Sequence, residues 1–502
     1  MSIATTTDLE IAPARPLLIP AVSAAACVVL ADWLFYGWEV GISLPLFLGV
    51  LGVAAVASHR ERATHKIQII MATIFVAGLL ALIENVNELS VIVGTLATAM
   101  FVYVLTAPQA TSWQRNLFEA ATIPFRGPFQ LIGDLIGTLR HMQTWTPEWL
   151  GSLVAWIVPL SVFAVFLALL SSANPLIENR LLMINFQALF DLLEPRRIWF
   201  WTMVACAIWP LLRRRIRRKP VVEPELRAIP TAASSDMDYL LGVQAVTRSL
   251  VLFNALFALQ SGLDLTYLWG GASLPNGMSH AAYAHRGAYP LIVTALLAAG
   301  FVLIAMRPGG PAERSRWIRP LVLTWTWQNI VLVISSILRL DLYVAVYSLT
   351  YLRLAAFIWM GLVVAGLLLI VLQIIWRKPN SWLLSANAAT LALVLFACCF
   401  INAPRLVATY NVEHSREISG TGVHLDVQYL GSLGPQAQLV LESHRQEVPA
   451  LTSAMDRQFP DARTALSRPE NWRAWSFRAW RIKRYLANNS GTPPHISSDD
   501  KG

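Results

Sequence analysis

The chain has 502 residues, of which 56% are hydrophobic and only 14% are charged. Soluble globular proteins carry roughly 25% charged residues, so this composition excludes an ordinary soluble domain. The formal net charge of +9 does not indicate nucleic-acid binding, because most basic residues flank apolar runs and form no soluble patch.

Repeated apolar runs of about 20 residues match the thickness of a hydrocarbon core. Runs of this length indicate helices, because an open sheet edge cannot be satisfied in lipid. We therefore expect an all-α polytopic integral membrane protein in the lipid bilayer, with about eleven transmembrane helices. The predicted spans are 17–36, 40–58, 67–84, 89–106, 149–170, 197–212, 240–262, 288–306, 319–338, 354–376 and 383–402.

Basic residues fall in every second connection between these spans. Such loops stay on the cytoplasmic side, so the N-terminus is predicted to be inside and the C-terminal tail outside. The start of the chain has no basic n-region, so no cleavable signal peptide is expected. The basic residues that set this orientation are Arg60, Arg62, Lys66, Arg115, Arg126, Arg140, Arg213 to Lys219, Arg307, Arg314, Arg316, Arg319, Arg377 and Lys378.

Composition also divides the chain into segments. The basic, proline-containing stretch 213–236 is the best boundary between two membrane halves. The predicted organisation is a cytoplasmic segment 1–16, an N-terminal membrane half 17–212 of about six helices with amphipathic segments near 112–142 and 176–195, the linker 213–236, a C-terminal membrane half 237–403 of about five helices, an extracytoplasmic helical tail 404–487 and a disordered end 488–502.

The stretch from Ser335 to Arg353 places charged and tyrosine side chains between two apolar runs. Arg339 and Asp341 are two residues apart, so in a helix they do not face each other and need partners from elsewhere. Retaining an ionisable residue in the membrane costs on the order of 2.5–3.5 kcal/mol, which favours a functional polar cluster. The alternative is an arginine and an aromatic belt at the membrane boundary. A continuous helix puts four of the residues on one face: Arg339, Tyr343, Tyr347 and Tyr351.

A second polar group, Tyr283, His285 and Arg286, precedes the eighth predicted span. These residues either pair with Asp264 or Asp341 in an outward-facing pocket or form an ordered loop that caps a helix. His285 has the side chain that titrates near neutral pH. The complete predicted cluster is Arg248, Asp264, Tyr283, His285, Arg286, Arg339, Asp341, Tyr343 and Arg353.

Other polar residues lie within apolar runs or at their ends. Hydrogen bonds between helices, worth around 0.6 kcal/mol each, explain Asn254, Gln328 and Asn329. Asp32 and Glu84, with Glu88, either line a cation or proton route or are ordinary acidic residues at helix ends near water.

No catalytic constellation, metal site or cofactor is predicted. The four cysteines lie in apolar runs without zinc-ligand spacing, and none of the motifs HExxH, GxSxG or GxxxxGK(S/T) occurs. In the tail, 472–486 is predicted to be one basic amphipathic helix. It either lies on the outer leaflet or packs on a small extracytoplasmic domain. Its predicted apolar face is Trp472, Trp475, Ala479, Ile482 and Leu486.

Several stretches resemble an uncharacterised bacterial polytopic membrane family, the domains of unknown function numbered forty-one fifty-three and forty-one seventy-three. The resemblance covers about residues 240–435 and implies a bacterial inner-membrane protein without an established activity. The chain departs from the family pattern at three positions: Ala282 replaces a glutamate, His285 an arginine and Ser348 a glycine. The motifs that carry the resemblance are QSGLDLTYLWGG (260–271), HAAYAHRGAYPL (280–291), the set Ser335, Arg339, Leu342, Tyr343, Leu349, Thr350 and Arg353, the residues Asn402, Tyr410 and Asn411, and LDVQYLGSL (425–433).

Three function classes remain open at this level. The first is a non-enzymatic inner-membrane protein that senses a condition or binds a membrane or envelope protein partner. The second is a transporter or channel for a small solute or ion, and the third is an intramembrane enzyme acting on lipid or envelope precursors. The sequence identifies no small-molecule ligand for any of them.

Overall fold

A computed structural model describes residues 18–58, 64–106, 113–143, 194–213, 243–266, 316–444 and 471–489, together with the isolated positions 159 and 163. These residues form helices and no strand, and one isolated bridge pairs Ser415 with Val423. Seven helices are long and apolar enough to cross a membrane. The predicted class, an all-helical polytopic membrane protein, is therefore confirmed.

The described residues belong to two compact units. Unit 1 comprises residues 1–218 and 469–484, and unit 2 comprises residues 219–468 and 485–502. The helices of unit 1 are α1 (Leu18–Phe35), α2 (Ser43–Ala57), α3 (His65–Glu84), α4 (Glu88–Leu105), α5 (Trp113–Ala121), α6 (Ile123–Gln143) and α7 (Pro195–Leu212). Those of unit 2 are α8 (Val243–Asp264), α9 (Ile318–Tyr347), α10 (Tyr351–Trp376), α11 (Asn380–Phe400), α12 (Ala403–Glu413), α13 (Arg416–Ser419), α14 (Val427–Ser432) and α15 (Pro435–Ser443).

Nine of the predicted spans coincide with helices, and the spans 149–170 and 288–306 lie outside the continuously described ranges. The seven candidate spans are α1, α3, α4 and α8 to α11. The helix α2 is apolar but has only 15 residues, about 22 Å, and so is shorter than a hydrocarbon core of about 30 Å. The helix α7 is not among the seven candidate spans. The count of eleven is therefore not confirmed.

The core of unit 1 lies among α1, α2, α4 and α7, where buried side chains such as Leu34, Leu51 and Leu212 pack together. The helices α6 and α7 are in close backbone contact at Gly127. A Cβ atom at this position would lie 1.9 Å from the carbonyl oxygen of Cys206, so only glycine permits the contact. The face of α6 that carries Phe129 and Leu135 is exposed, as expected for an interfacial helix.

Unit 2 is built around α9, which packs on α8 and α10. The predicted span ended at residue 338, but α9 continues to Tyr347 and has 30 residues, about 45 Å. The helix ends at Ser348, which has a φ of 66°. Tyr351 begins α10 after this turn, so the prediction that it shares a helical face with Arg339 is wrong.

The helices α12 to α15 form a small folded subdomain, which we call the tail subdomain (residues 403–444). Its core contains Val407, Val412, Leu430 and Leu441, all fully buried. The same cluster includes Val344 of α9 and Leu349 from the turn before α10. The tail subdomain is therefore packed directly on the junction between two long apolar helices.

The last described stretch differs from its prediction. Residues Trp472–Ala474 form a 3-10 turn, Trp475 is extended, and the helix α16 covers Phe477–Asn489. The continuous helix predicted over 472–486 is wrong, because Asn471 caps the turn and Ser476 starts a new helix.

Candidate functional site

The centre of the candidate site is an ion pair between Arg339 of α9 and Asp264 at the end of α8. The Nη2 atom of Arg339 donates to Oδ1 of Asp264, and only 6% and 2% of the two side chains are exposed. Gln260, one helical turn earlier, donates to the same carboxylate oxygen over 3.0 Å. Removing one partner of a buried pair costs about 3–5 kcal/mol, because a charge is left without compensation. The prediction that Arg339 finds its partner away from Asp341 is confirmed.

The structure does not bring all the predicted residues to this pair. Arg248 is exposed on α8, and Asp341 is exposed on α9. The charge of Asp341 acts on the tail subdomain: burial raises the pKa of Tyr410 above its usual value, and the carboxylate of Asp341 raises it further. Tyr283, His285 and Arg286 lie outside the described residues, so their pairing stays a prediction.

Tyr343 and Arg353 form a second cluster at the turn between α9 and α10. The guanidinium of Arg353 lies 4.5 Å from the ring centre of Tyr343 and 5.9 Å from that of Tyr347. Its Nη1 atom donates to the carbonyl oxygens of Tyr347, over 2.6 Å, and of Ser348. These bonds satisfy carbonyls at the C-terminus of α9, where a positive charge also complements the helix dipole.

Polar side chains continue from the ion pair along the interface of α8 and α9, which we call the polar seam (Asn254, Ser261 and Asp264 with Trp325, Gln328 and Arg339). The α8 members have helical spacing and face α9, since Asn254 donates to the carbonyl of Leu321 over 3.1 Å. Apart from the ion pair, four polar atoms of the seam are buried without a hydrogen-bond partner in the described part of the chain: Asn254 Oδ1, Ser261 Oγ, Trp325 Nε1 and Gln328 Oε1.

The seam only partly fits the hydrogen bonds expected between helices. Asn254 makes such a bond, but the amide of Asn329 donates to the carbonyl of Trp325 in its own helix. Unpaired buried polar atoms cost about 1–3 kcal/mol each. The seam is therefore more polar than helix packing alone requires.

The tail subdomain is fastened to the turn between α9 and α10 by side-chain bonds to backbone. Oδ1 of Asn411 accepts from the amide of Leu349 over 2.7 Å, and its Nδ2 donates to the carbonyl of Leu349 over 2.8 Å. The hydroxyl of Tyr429 accepts from the amide of Tyr351 over 2.9 Å. No role was predicted for Asn411 or Tyr429 from the sequence, although both belong to the motifs that carry the family resemblance.

An exposed segment of the same subdomain runs from Glu417 to Leu425. Burial raises the pKa of Glu417, but hydrogen bonds from His424 and from the amide of Leu425 outweigh this effect, so the pKa lies below its usual value. The His414 ring stacks on Tyr410 at a centroid distance of 4.2 Å. The segment is therefore ordered by its own contacts while its surface stays accessible.

In unit 1 the carboxylates of Asp32 and Glu84 are paired with arginines. Asp32 of α1 accepts from Arg197 Nε over 2.7 Å and from the indole of Trp201 over 2.9 Å. Glu84, at the end of α3, pairs with Arg478 Nε over 3.1 Å and with Arg481. Each carboxylate already has a compensating charge, which weighs against a cation or proton route through them.

Three comparisons with known proteins bear on the identity of the chain. The model of the family described as a domain of unknown function (DUF4153) matches residues 26–444. The chain belongs to this family. The DUF4153 match extends far into the N-terminal half, beyond the region where motifs carried the resemblance. No curated protein and no solved structure gives a significant match.

Several family-motif residues of the DUF4153 chain lie at the turn between α9 and α10 or at the start of the tail subdomain. Thr350 caps α10, Asn402 caps α12, and Asn411 holds the backbone of Leu349. Ser348, where the family pattern has glycine, has φ 66° and ψ 165°, a conformation that glycine adopts without strain. The motif residues therefore build the attachment of the tail subdomain.

The described residues contain no cluster of side chains that could ligate a metal ion. No group of three or more His, Cys, Asp or Glu side chains in that part of the DUF4153 chain could hold a metal ion. The chemistry that the site offers is ionic pairing, hydrogen bonding and backbone recognition.

Proposed function

We propose that this protein is a non-enzymatic sensing or partner-binding protein of the bacterial inner membrane, and that its extracytoplasmic tail subdomain contacts a membrane or envelope protein. The observation that supports the proposal is the attachment of a folded subdomain to two long apolar helices through Asn411 and Tyr429. A partner that binds the subdomain and shifts it also shifts the turn at Leu349. The helix α9 ends and the helix α10 begins at this turn, so binding outside the membrane changes the position of both spans.

The proposed orientation, with the tail subdomain outside, is supported by the basic residues in every second predicted connection. Within unit 1 the end of α1 meets the start of α7 through Asp32 and Arg197. The end of α7 meets the amphipathic helix α6, where Arg213 Nη1 lies 3.1 Å from Asp134 Oδ1. The bacterial inner membrane is supported by the family resemblance.

A photo-crosslinking experiment in intact cells tests the proposal. A photoreactive amino acid at Ile418, exposed on α13, should give one reproducible cross-linked product with the same protein in repeated experiments. The same amino acid at the fully buried Leu430 is the matched control and should give none. If exposed positions of the tail subdomain give no product, the partner-binding function is wrong.

A transporter or channel is the second candidate, favoured by the polar seam. Three of the four atoms that lack a partner among the described residues are oxygens that can accept, those of Asn254, Ser261 and Gln328, so the seam suits a hydrated proton or a small cation. The members span from Trp325 to Arg339, about 21 Å along α9. This length crosses most of a hydrocarbon core.

Purified protein in liposomes distinguishes the two candidates. If the seam conducts, proton entry driven by a potassium diffusion potential and followed with pyranine should exceed that of empty liposomes. The variants Gln328→Leu and Arg339→Ala should reduce it. The control Thr247→Val removes a hydroxyl on α8 that donates to the carbonyl of Val243 in its own helix, and it should leave proton entry unchanged. Equal proton entry with and without protein would exclude this candidate for protons.

A further inference from the structure

The C-terminal segment, residues 471–484, packs on unit 1 although it follows unit 2 in the chain. The amide of Ile42, just before α2, donates to the carbonyl of Trp475 over 2.7 Å. A Cβ atom on Gly41 would lie 2.3 Å from the carbonyl carbon of Ala474, so only glycine permits this backbone contact. The segment is thus recognised through its main chain as well as its side chains.

Arg473 is the first anchor of the segment. Its guanidinium lies 4.7 Å from the ring centre of Trp33, and 4.9 Å from those of Trp38 and Trp472. Its Nε atom donates to the carbonyl oxygen of Trp33 over 3.1 Å. Aromatic faces attract a cation, and this attraction strengthens where water is excluded. Arg473 is buried, so the site compensates its charge with π faces and a carbonyl.

Arg478 is the second anchor. It is 4% exposed and pairs with Glu84, whose side chain is itself 8% exposed; Arg481 joins the same carboxylate. Residues 471–484 contain five basic residues and no acidic one, which complements this carboxylate. The segment therefore brings positive charge and tryptophan to an acidic and aromatic surface.

The connection of the segment to unit 1 is noncovalent. The covalent path from α7 to residue 471 runs through the whole of residues 219–468, which belong to unit 2. Trp472, Phe477 and Trp480 stay between 39% and 47% exposed, so the segment lies on the surface and is not threaded through the core. A few buried anchors with partly exposed neighbours are typical of a binding interface.

We propose that Trp33, Trp38, Gly41, Ile42 and Glu84 form a peptide-binding site, the latch site, and that residues 471–484 occupy it in cis as a releasable ligand. The ligand class is a peptide with an arginine between tryptophans and a second arginine five residues later. Release exposes the ends of α1 and α3, where Trp33 and Glu84 lie. This proposal rests on unit 1 and does not depend on the function of the tail subdomain.

The test uses the full chain with a protease recognition sequence inserted within residues 445–470. After cleavage in mild detergent, the C-terminal fragment should co-elute with the membrane part in size-exclusion chromatography. An excess of a synthetic peptide of residues 469–486 should displace the fragment. The same peptide with Arg473→Ala and Arg478→Ala is the matched control and should displace at least tenfold less at equal concentration.

Variants of the protein complete the test. Glu84→Gln should speed dissociation of the cleaved fragment at least tenfold, whereas Glu88→Gln, an exposed acid at the start of α4, should leave it unchanged. If Glu84→Gln lowers yield, the exchange Glu84→Arg with Arg478→Glu should restore retention. A fragment that no peptide displaces, or that leaves equally fast in every variant, overturns the proposal. Co-purification of two differently tagged intact copies, lost with Glu84→Gln, would assign the segment to a second copy and overturn the cis assignment.

Discussion

Asn411 is expected to control the attachment of the tail subdomain. The variant Asn411→Ala removes two hydrogen bonds and leaves the amide and carbonyl of Leu349 unpaired in a buried environment. Each unpaired buried group costs about 1–3 kcal/mol, so local opening of the turn should become easier by about 2–6 kcal/mol. The strained backbone of Ser348, which needs surrounding contacts to persist, acts in the same direction.

Hydrogen exchange measured by mass spectrometry in detergent reads this free energy directly. Since about 1.4 kcal/mol is a factor of ten, amides in peptides covering 348–353 and 407–412 should exchange at least about 30-fold faster. The matched control is Asn387→Ala on α11, because the Asn387 amide bonds only the carbonyl of Leu383 in its own helix. Equal exchange in the two variants would show that Asn411 does not hold the junction.

Three further outcomes are expected. Ser348→Gly should raise the melting temperature, because relief of about 1–3 kcal/mol of strain outweighs the 0.5–1 kcal/mol entropic cost of glycine; a fall would contradict the strain. Because the pKa of Glu417 is lowered by folding, its stabilisation is complete above its usual value of 4.5 and is lost as pH falls through the folded value. The difference in melting temperature between wild type and Glu417→Gln should accordingly shrink below pH 4.5. Gly127→Ala should separate α6 from α7 and cost about 1–3 kcal/mol in thermal stability, whereas Gly137→Ala, with open space around its position, should cost much less.

Part of the site could be predicted from the sequence for a clear physical reason. Two residues two positions apart on a helix point in different directions, so Arg339 had to pair with something other than Asp341. Its partner, Asp264, was among the predicted residues. Periodicity could not select Asp264, however, because the pairing joins residues 75 positions apart in the chain.

The family motifs could be recognised in the sequence, but the structural role of their residues could not. Asn411 and Tyr429 are ordinary polar residues in sequence, and their role depends on a backbone turn that forms more than 60 positions earlier. The glycine expected at Ser348 was the one local signal, because it indicates a positive φ. Only the packed subdomain shows which backbone groups these side chains hold.

The sequence by itself determined that this is a helical membrane protein, because apolar runs of sufficient length are a local property of the chain. It also determined the basic, tryptophan-rich character of residues 472–484. Tertiary structure alone decided where that segment lies. Its arginines contact Glu84 and Trp33, which are nearly 400 or more positions away in the sequence. Charge and aromatic content define what a segment can bind, but burial and distance decide which partner it meets.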